Sequence, residues 1–326
     1  MTELSLVQAV NLALARAMQD DARVLVLGED VGTDGGVFRA TDGLLKRFGA
    51  ERVFDTPLAE AAIAGMSVGL AAQGFRPVVE IQFTGFIYPA IDQLVSHASR
   101  LRTRTRGRLT CPMVLRSPCG GGTRALEHHS ESPEAMFAHI PGLRVVIPSS
   151  PCRAYGLLLA AIRDPDPVVF LEPTRLYRAA REEVADDGAS APLDHCFVLR
   201  EGRDVTIVAW GAMTLEAIAA ADALSAKGVS AEVIDVATLK PLDAETIVAS
   251  VKKTGRCIIA HEAPLTGGFG GEIAARIAEH ALLSLLAPIE RVAGFDTVMP
   301  LPRLEQHYLP NARHIAAAAS RAMAYA

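Results

Sequence analysis

Five cysteines, Cys111, Cys119, Cys152, Cys196 and Cys257, form no C-x-x-C pair and are odd in number. That excludes a zinc ribbon, argues against a disulfide scaffold and points to a reducing compartment. No apolar run is long enough to span a bilayer. The stretch after Met1 carries neither a basic start nor a cleavage signal, so cytoplasm is the default location. Basic residues are not in excess: 32 Lys and Arg face 37 Asp and Glu, and the formal charge of −5 leaves no footprint for nucleic acid or an anionic membrane. Phosphate-binding signatures are missing as well. There is no Gly-Lys pair for a P-loop, and G-x-G-x-x-G fails in the 267–271 glycine cluster because Ile273 stands at the third glycine. His261-Glu262 lacks the second histidine of a zincin, Leu265 standing in its place.

What is present is a chain of 326 residues, half of them apolar, enough for a large core and two domains. Short β-branched runs alternate with alanine- and leucine-rich stretches at helical spacing, the pattern of an α/β fold with a mostly parallel sheet. Strands are expected at 24–27, 78–83, 113–115, 145–147, 168–171, 205–209, 231–236 and 257–260. Helices are expected at 60–73, 90–104, 215–226 and 244–253, with another opening near Gly271. The alternation lapses from about Arg178 to Arg203 into Glu, Asp, Gly, Ser and Pro, which predicts one domain over 1–178, a linker over 179–203 and a second domain over 204–326. In parallel sheets ligands sit beyond the carboxyl ends of strands, so the residues following each strand are the ones to inspect.

Three motifs fall near such positions. Gly65-Met66-Ser67-Val68-Gly69 matches the G-x-S-x-G nucleophile elbow of a serine hydrolase, but a helical pattern precedes Ser67 where the elbow needs a strand. Asp55-Thr56-Pro57-Leu58-Ala59-Glu60 reads as a helix start, with Thr56 as the cap, Pro57 in the first position and a carboxylate in the first turn. By itself Glu60 is more readily read as a complement to the helix dipole. His128-His129 follows Gly120-Gly121-Gly122 and precedes the helix-start signal Ser130 to Glu134; an imidazole on a glycine loop beyond a strand suits proton transfer near neutral pH, or is simply an exposed histidine.

Taken together, L-G-E-D-V (27–31), G-G-V-F-R (35–39), R-V-F-D-T-P-L-A-E (52–60), E-I-Q-F (80–83), A-I-D-Q (90–93), R-S-P (116–118), H-S-E-S-P-E (129–134), F-A-H-I-P-G-L-R-V-V-I-P (137–148), L-E-P-T-R-L-Y-R-A-A (171–180) and H-E-A-P-L-T-G-G-F (261–269) resemble the beta subunits of thiamine-diphosphate-dependent 2-oxo acid dehydrogenases. The resemblance covers nearly the whole chain. It implies a pyrimidine-binding thiamine diphosphate module followed by a transketolase-type C-terminal α/β domain. It puts the family's conserved glutamate at Glu60, which would hold the aminopyrimidine in the tautomer that deprotonates the thiazolium. Glu29, Leu58, Ala59 and Gln82 would line the cofactor pocket, Phe86 would pack on the pyrimidine and His129 would be the active-site histidine. A structural potassium site, built largely from backbone carbonyls, would fall at Cys111, Met113, Val114, Ala161, Asp164 and Asp166, although Asp164-Pro165-Asp166-Pro167 also reads as a plain turn.

Thiamine enzymes commonly hold the diphosphate through magnesium at a G-D-G motif, and this sequence has none. Magnesium and the diphosphate would then belong to an alpha subunit in an α2β2 assembly, with a lipoyl-bearing acyltransferase core as the second partner. Segments such as V-A-W-G (208–211) and H-S-E-S-P-E read closest to the branched-chain members, so 2-oxoisovalerate is the expected substrate, with pyruvate and acetoin as alternatives. One methylene in an apolar pocket discriminates by only about 1 to 3 kcal/mol, so this preference is weakly encoded.

Overall fold

The computed structural model describes residues 2–325. Its strands are β1 (Thr2–Ser5), β2 (Val24–Gly28), β3 (Val53–Asp55), β4 (Arg76–Glu80), β5 (Val114–Cys119), β6 (Arg144–Val146), β7 (Val168–Pro173), β8 (Arg181–Val184), β9 (Phe197–Arg200), β10 (Val205–Ala209), β11 (Ala231–Asp235), β12 (Thr238–Lys240), β13 (Cys257–Pro264) and β14 (Glu290–Gly294). Seven of them form one sheet in the order β12-β6-β7-β5-β4-β2-β3, and five form a second in the order β14-β13-β10-β11-β9. Every pairing is parallel except the edge pairs β12 with β6 and β9 with β11. The remaining pair, β1 with β8, is antiparallel.

Parallel strands covered by helices on both faces bury every residue, which is why β2 reads as an unbroken apolar run. Its side chains still alternate: Leu25 and Leu27 join one core, Val24 and Val26 another. The second core lies under the helices Leu6–Asp20 and Pro151–Arg163, which pack on each other. The first runs without interruption from Leu27 and Leu171 of one sheet to Val208 and Ile259 of the other. The two sheets are therefore joined by a shared apolar interior, and the β12 strand strengthens the union by crossing back to pair with β6.

Several sequence expectations need adjustment. The segment 179–203 contains β8 and β9 rather than only loop. The strand expected at 78–83 ends at Glu80, and residues Thr84–Phe86 turn as a 3-10 helix. The helix expected over 90–104 is broken: Ile91–Ser96 and Leu101–Arg104 flank a 3-10 turn at Ala98–Arg100, where the Ser99 carbonyl presses on Gly142. Among the described residues no helix is long and apolar enough to cross a membrane.

Candidate functional site

The parallel registers place Gly28, Asp55, Glu80 and Arg116 side by side across β2, β3, β4 and β5. Glu29, Thr56, Gln82 and the loop after β5 consequently emerge at the same carboxyl edge. Two devices fix that edge from below. The Asp55 carboxylate accepts hydrogen bonds from Gly32 N at 2.6 Å, Thr33 N at 3.1 Å and Thr33 Oγ1 at 2.6 Å, which ties the loop after β2 to the end of β3. Deeper, the buried Arg116 guanidinium donates to both Glu172 oxygens at 2.7 Å and to Glu80, while Tyr177 adds its hydroxyl to Glu172. A bidentate pair satisfied on all sides is rigid and directional, so it sets the relative height of β4, β5 and β7.

Glu29 is only 3% exposed, and its Oε1 is buried without a hydrogen-bond partner. Burial, then the charges of Glu60 and Asp30, push its carboxyl up to about 7. Asp30, at φ 57, instead receives Gln82 Nε2 at 3.1 Å. Glu60 is half-buried and makes the first residue of the helix Glu60–Ala72, whose cap position is Ala59. Thr56 therefore does not cap this helix and Pro57 does not open it. The Thr56 N–H is spent on Gly28 O at 2.9 Å, continuing the sheet edge, and its hydroxyl is buried without a partner. Ala59 is half-buried beside an 81% exposed Leu58.

The histidine pair stands opposite an aromatic turn. His129 packs edge-on against Phe83 with ring centroids 4.2 Å apart and against Phe86 at 5.4 Å, and its Nδ1 is buried without a partner. His128 is exposed and tilts over Phe86 at 6.5 Å. Gly85 makes this approach possible: a Cβ there would lie 2.0 Å from the His128 carbonyl oxygen. Phe83 and Gly85 were not among the residues singled out from sequence. Their signal was weak, since a phenylalanine and a glycine beyond a strand are ordinary until the neighbouring turn is known.

The residues matched to a potassium site gather where β5 begins and the helix Pro151–Arg163 ends. Met113 N donates to Cys111 O at 2.8 Å, Val168 N to Met113 O at 3.0 Å and Asp164 N to Ala161 O at 3.3 Å. Val114 lies buried in β5. Asp166 N closes on Asp164 Oδ1 at 2.8 Å, an Asx turn, while Arg102 and Arg144 pair with Asp166 and Asp164. Among the described residues no three His, Cys, Asp or Glu side chains converge as a metal cluster.

Ser67 is fully buried inside the helix Glu60–Ala72, and its hydroxyl donates to Ile63 O at 2.7 Å. No strand leads into it. The motif is small residues on a packed helix, as the helical pattern before Ser67 implies, and the remote hydrolase alternative is set aside.

Comparison with known proteins agrees with this layout. Residues 2–180 match the transketolase pyrimidine-binding domain and residues 194–315 the transketolase C-terminal domain. A solved chain described as a split gene transketolase, inactive beta4 tetramer, superposes with a TM-score of 0.82 at 25% identity, with 99% of each chain covered. Fold and family models together define a transketolase-like, thiamine-diphosphate-dependent class of protein. At finer grain, the chain is 50% identical over 317 residues to the pyruvate dehydrogenase E1 component subunit beta of Acholeplasma laidlawii, covering 97% of each. It is 48% identical to the protein of the same description from Bacillus subtilis strain 168, over the full length of both. The chain belongs to the family of E1 beta subunits of 2-oxo acid dehydrogenases. Both relatives are named for pyruvate rather than for a branched-chain acid.

Proposed function

We propose that this chain is the beta half of an α2β2 enzyme that decarboxylates pyruvate and passes the acyl group to a lipoyl arm of an acyltransferase core. The names of its relatives favour pyruvate over the 2-oxoisovalerate expected from short segments. The observation that carries the reading is the set of buried, unpartnered polar atoms at one sheet edge: Glu29 Oε1, Thr56 Oγ1 and His129 Nδ1. Buried polar atoms are normally hydrogen-bonded, so three together mark where a polar ligand belongs. They fit the pyrimidine end of thiamine diphosphate. When bound, that cofactor supplies the nucleophilic carbon and the electron sink for decarboxylation.

This chain's residues have separate tasks. Glu60, at the start of its helix, would exchange a proton at the pyrimidine nitrogen. Glu29, its carboxyl pushed up to about 7, is protonated in roughly half of the molecules at neutral pH and can then donate a hydrogen bond, while Leu58, Ala59 and Gln82 shape the pocket and Phe86 offers a ring face. His129 would steady charge where substrate enters. The exposed Leu58 and the helix Glu60–Ala72, apolar around its circumference yet exposed at Ala61, Ala62 and Met66, call for a covering alpha subunit that also brings magnesium. Potassium would rest on the carbonyls of Cys111, Met113, Ala161 and Asp164, each of which keeps a lone pair beyond its N–H partner, with Val114 and Asp166 beside them.

Co-expression with an alpha subunit, followed by assay of pyruvate, 2-oxoisovalerate and acetoin with and without thiamine diphosphate, tests this. Pyruvate should give the highest kcat/KM. A clear preference for 2-oxoisovalerate overturns the substrate, and absence of cofactor-dependent turnover with all three overturns the function.

A further inference from the structure

His129 sits on a loop that has little apolar anchorage of its own. Gly122, Thr123, Arg124, Leu126 and His128 are all exposed. Segments with so few buried contacts are ordered only where specific hydrogen bonds hold them. Within the first domain the loop closes on itself, Gly120 N donating to Glu131 O at 2.8 Å, and Thr84 Oγ1 reaches the same carbonyl at 2.9 Å. A 3-10 turn closes its far end, His129 N donating to Leu126 O and Ser130 N to Glu127 O at 2.9 Å each, and the amides of Gly121, Gly122 and Arg124 are held from the second domain. Gly121 N donates to Glu262 at the end of β13, and Gly122 N donates to Glu305 Oε1 at 2.7 Å. Arg124 N reaches both Glu305 oxygens, at 3.3 and 3.2 Å. Glu305 opens the short helix Glu305–Tyr308 and is 3% exposed, while Glu262 is 8% exposed.

Burying two carboxylates is costly, and well-packed apolar residues would stabilise the fold at least as well. Among the described residues their ion-pair partner is Arg175, whose Nη2 lies 3.7 Å from Glu262 while its Nη1 donates to Glu216 at 3.1 Å. What the carboxyl groups provide is two acceptor oxygens each for successive backbone N–H groups, which fixes a loop's path more tightly than a single acceptor does. The loop is built to receive them. Gly120, at φ +79, brings its backbone so near that a Cβ would lie 2.8 Å from Glu262 Oε1.

We propose that Glu262 and Glu305 are positioning residues: they clamp the Gly120–Arg124 loop and so hold His129 against Phe83 and Phe86 for turnover. The assignment of a working role to His129 rests on the proposed function above. The clamp makes the second domain, which carries none of the assigned site residues, a determinant of the catalytic step rather than of substrate binding.

The test uses the α2β2 complex assembled with wild-type, Glu305→Ala, Glu305→Gln and Glu262→Gln chains. Hydrogen exchange of amides 121–129 is measured alongside kcat and KM for the preferred 2-oxo acid. Glu305→Ala should raise exchange in the loop and lower kcat, each by about 10-fold, with KM changed less than about 2-fold and with β10 and β13 exchanging as in wild type. The Gln variants, which keep one acceptor oxygen, should recover part of both effects. Unaltered loop exchange in Glu305→Ala, faster exchange with unaltered kcat, or losses spread through β10 and β13 would each overturn the clamp. A wild-type complex with no thiamine-dependent turnover sinks the functional reading instead, and the exchange data still decide whether the loop is clamped.

Discussion

The carboxyl edges of the two sheets are built alike and finished differently. At the edge of the seven-stranded sheet, Glu29, Thr56 and His129 keep buried polar atoms without partners, and Leu58 stands out into solvent. At the edge of the five-stranded sheet most polar groups are matched internally, although His261 Nε2 is buried without a partner. Trp210, just past β10, donates to the buried Glu134 of the first domain at 3.1 Å and stacks on His261 at 5.2 Å. His261 uses Nδ1 on Ala263 O and is held neutral by burial, its pKa lowered to about 4. Glu262 and Glu305 turn their oxygens on the histidine loop. One edge waits for something outside the chain, and the other supports it. Sharing a layout, the two domains differ in how far polar satisfaction is completed within the chain.

That contrast breaks or sharpens under substitution. The largest effect is expected from Glu60→Gln: in the assembled complex, thiamine-dependent turnover should fall by about 10² to 10⁴-fold, the range for a lost acid–base group. Melting of the same complex should shift little, because Glu60 makes no hydrogen bond that folding depends on. Trp210→Phe should show the reverse. It leaves the buried Glu134 without its donor and should cost about 1 to 3 kcal/mol in denaturant unfolding, with kcat/KM nearly unchanged once folded. If Trp210→Phe were the variant that abolished turnover at full stability, the division of labour drawn above would be wrong.

A smaller effect concerns pH. The folded pKa of Glu29, about 7, lies above the ordinary 4.5. A raised carboxyl binds its proton more tightly in the folded state, so its contribution is favourable below about 4.5 and is lost as pH rises toward 7. Glu29→Gln removes the dependence. The melting temperature of the variant should therefore gain on wild type between pH 5 and pH 8, and parallel curves would contradict a buried, protonated Glu29. Least of all should Ser67→Ala matter: its hydroxyl serves only Ile63 O within a helix, so kcat should stay within about 2-fold of wild type.

Much of the fold was legible because parallel strands buried on both faces announce themselves as apolar runs. The expected 205–209 matches β10, and Glu60 does open a helix. Shorter elements were not legible. The three-residue β3 and β12 are too short for any periodicity, and β12 acquires its meaning only by crossing to β6. The cap reading at Thr56 failed because the same residue was needed to extend the sheet edge toward Gly28, a contact no local pattern reports. Glu29, Gln82 and Phe86 were named from resemblance, and their sequence positions beyond strand ends gave a physical reason to look there. Phe83, Gly85, Glu134 and Trp210 depend on turns and domains meeting in space. Spacing along the chain does not carry that information.

The central claim is that the open edge is half of a cofactor site completed by another chain. Calorimetric titration of thiamine diphosphate and magnesium into this chain alone, into the alpha subunit alone and into the assembled complex tests it most directly. The account predicts tight, saturable binding only in the assembly, weakened when Glu29 or Glu60 is replaced by Gln. Equally tight binding by this chain alone, or binding by the assembly that is indifferent to both replacements, would contradict it.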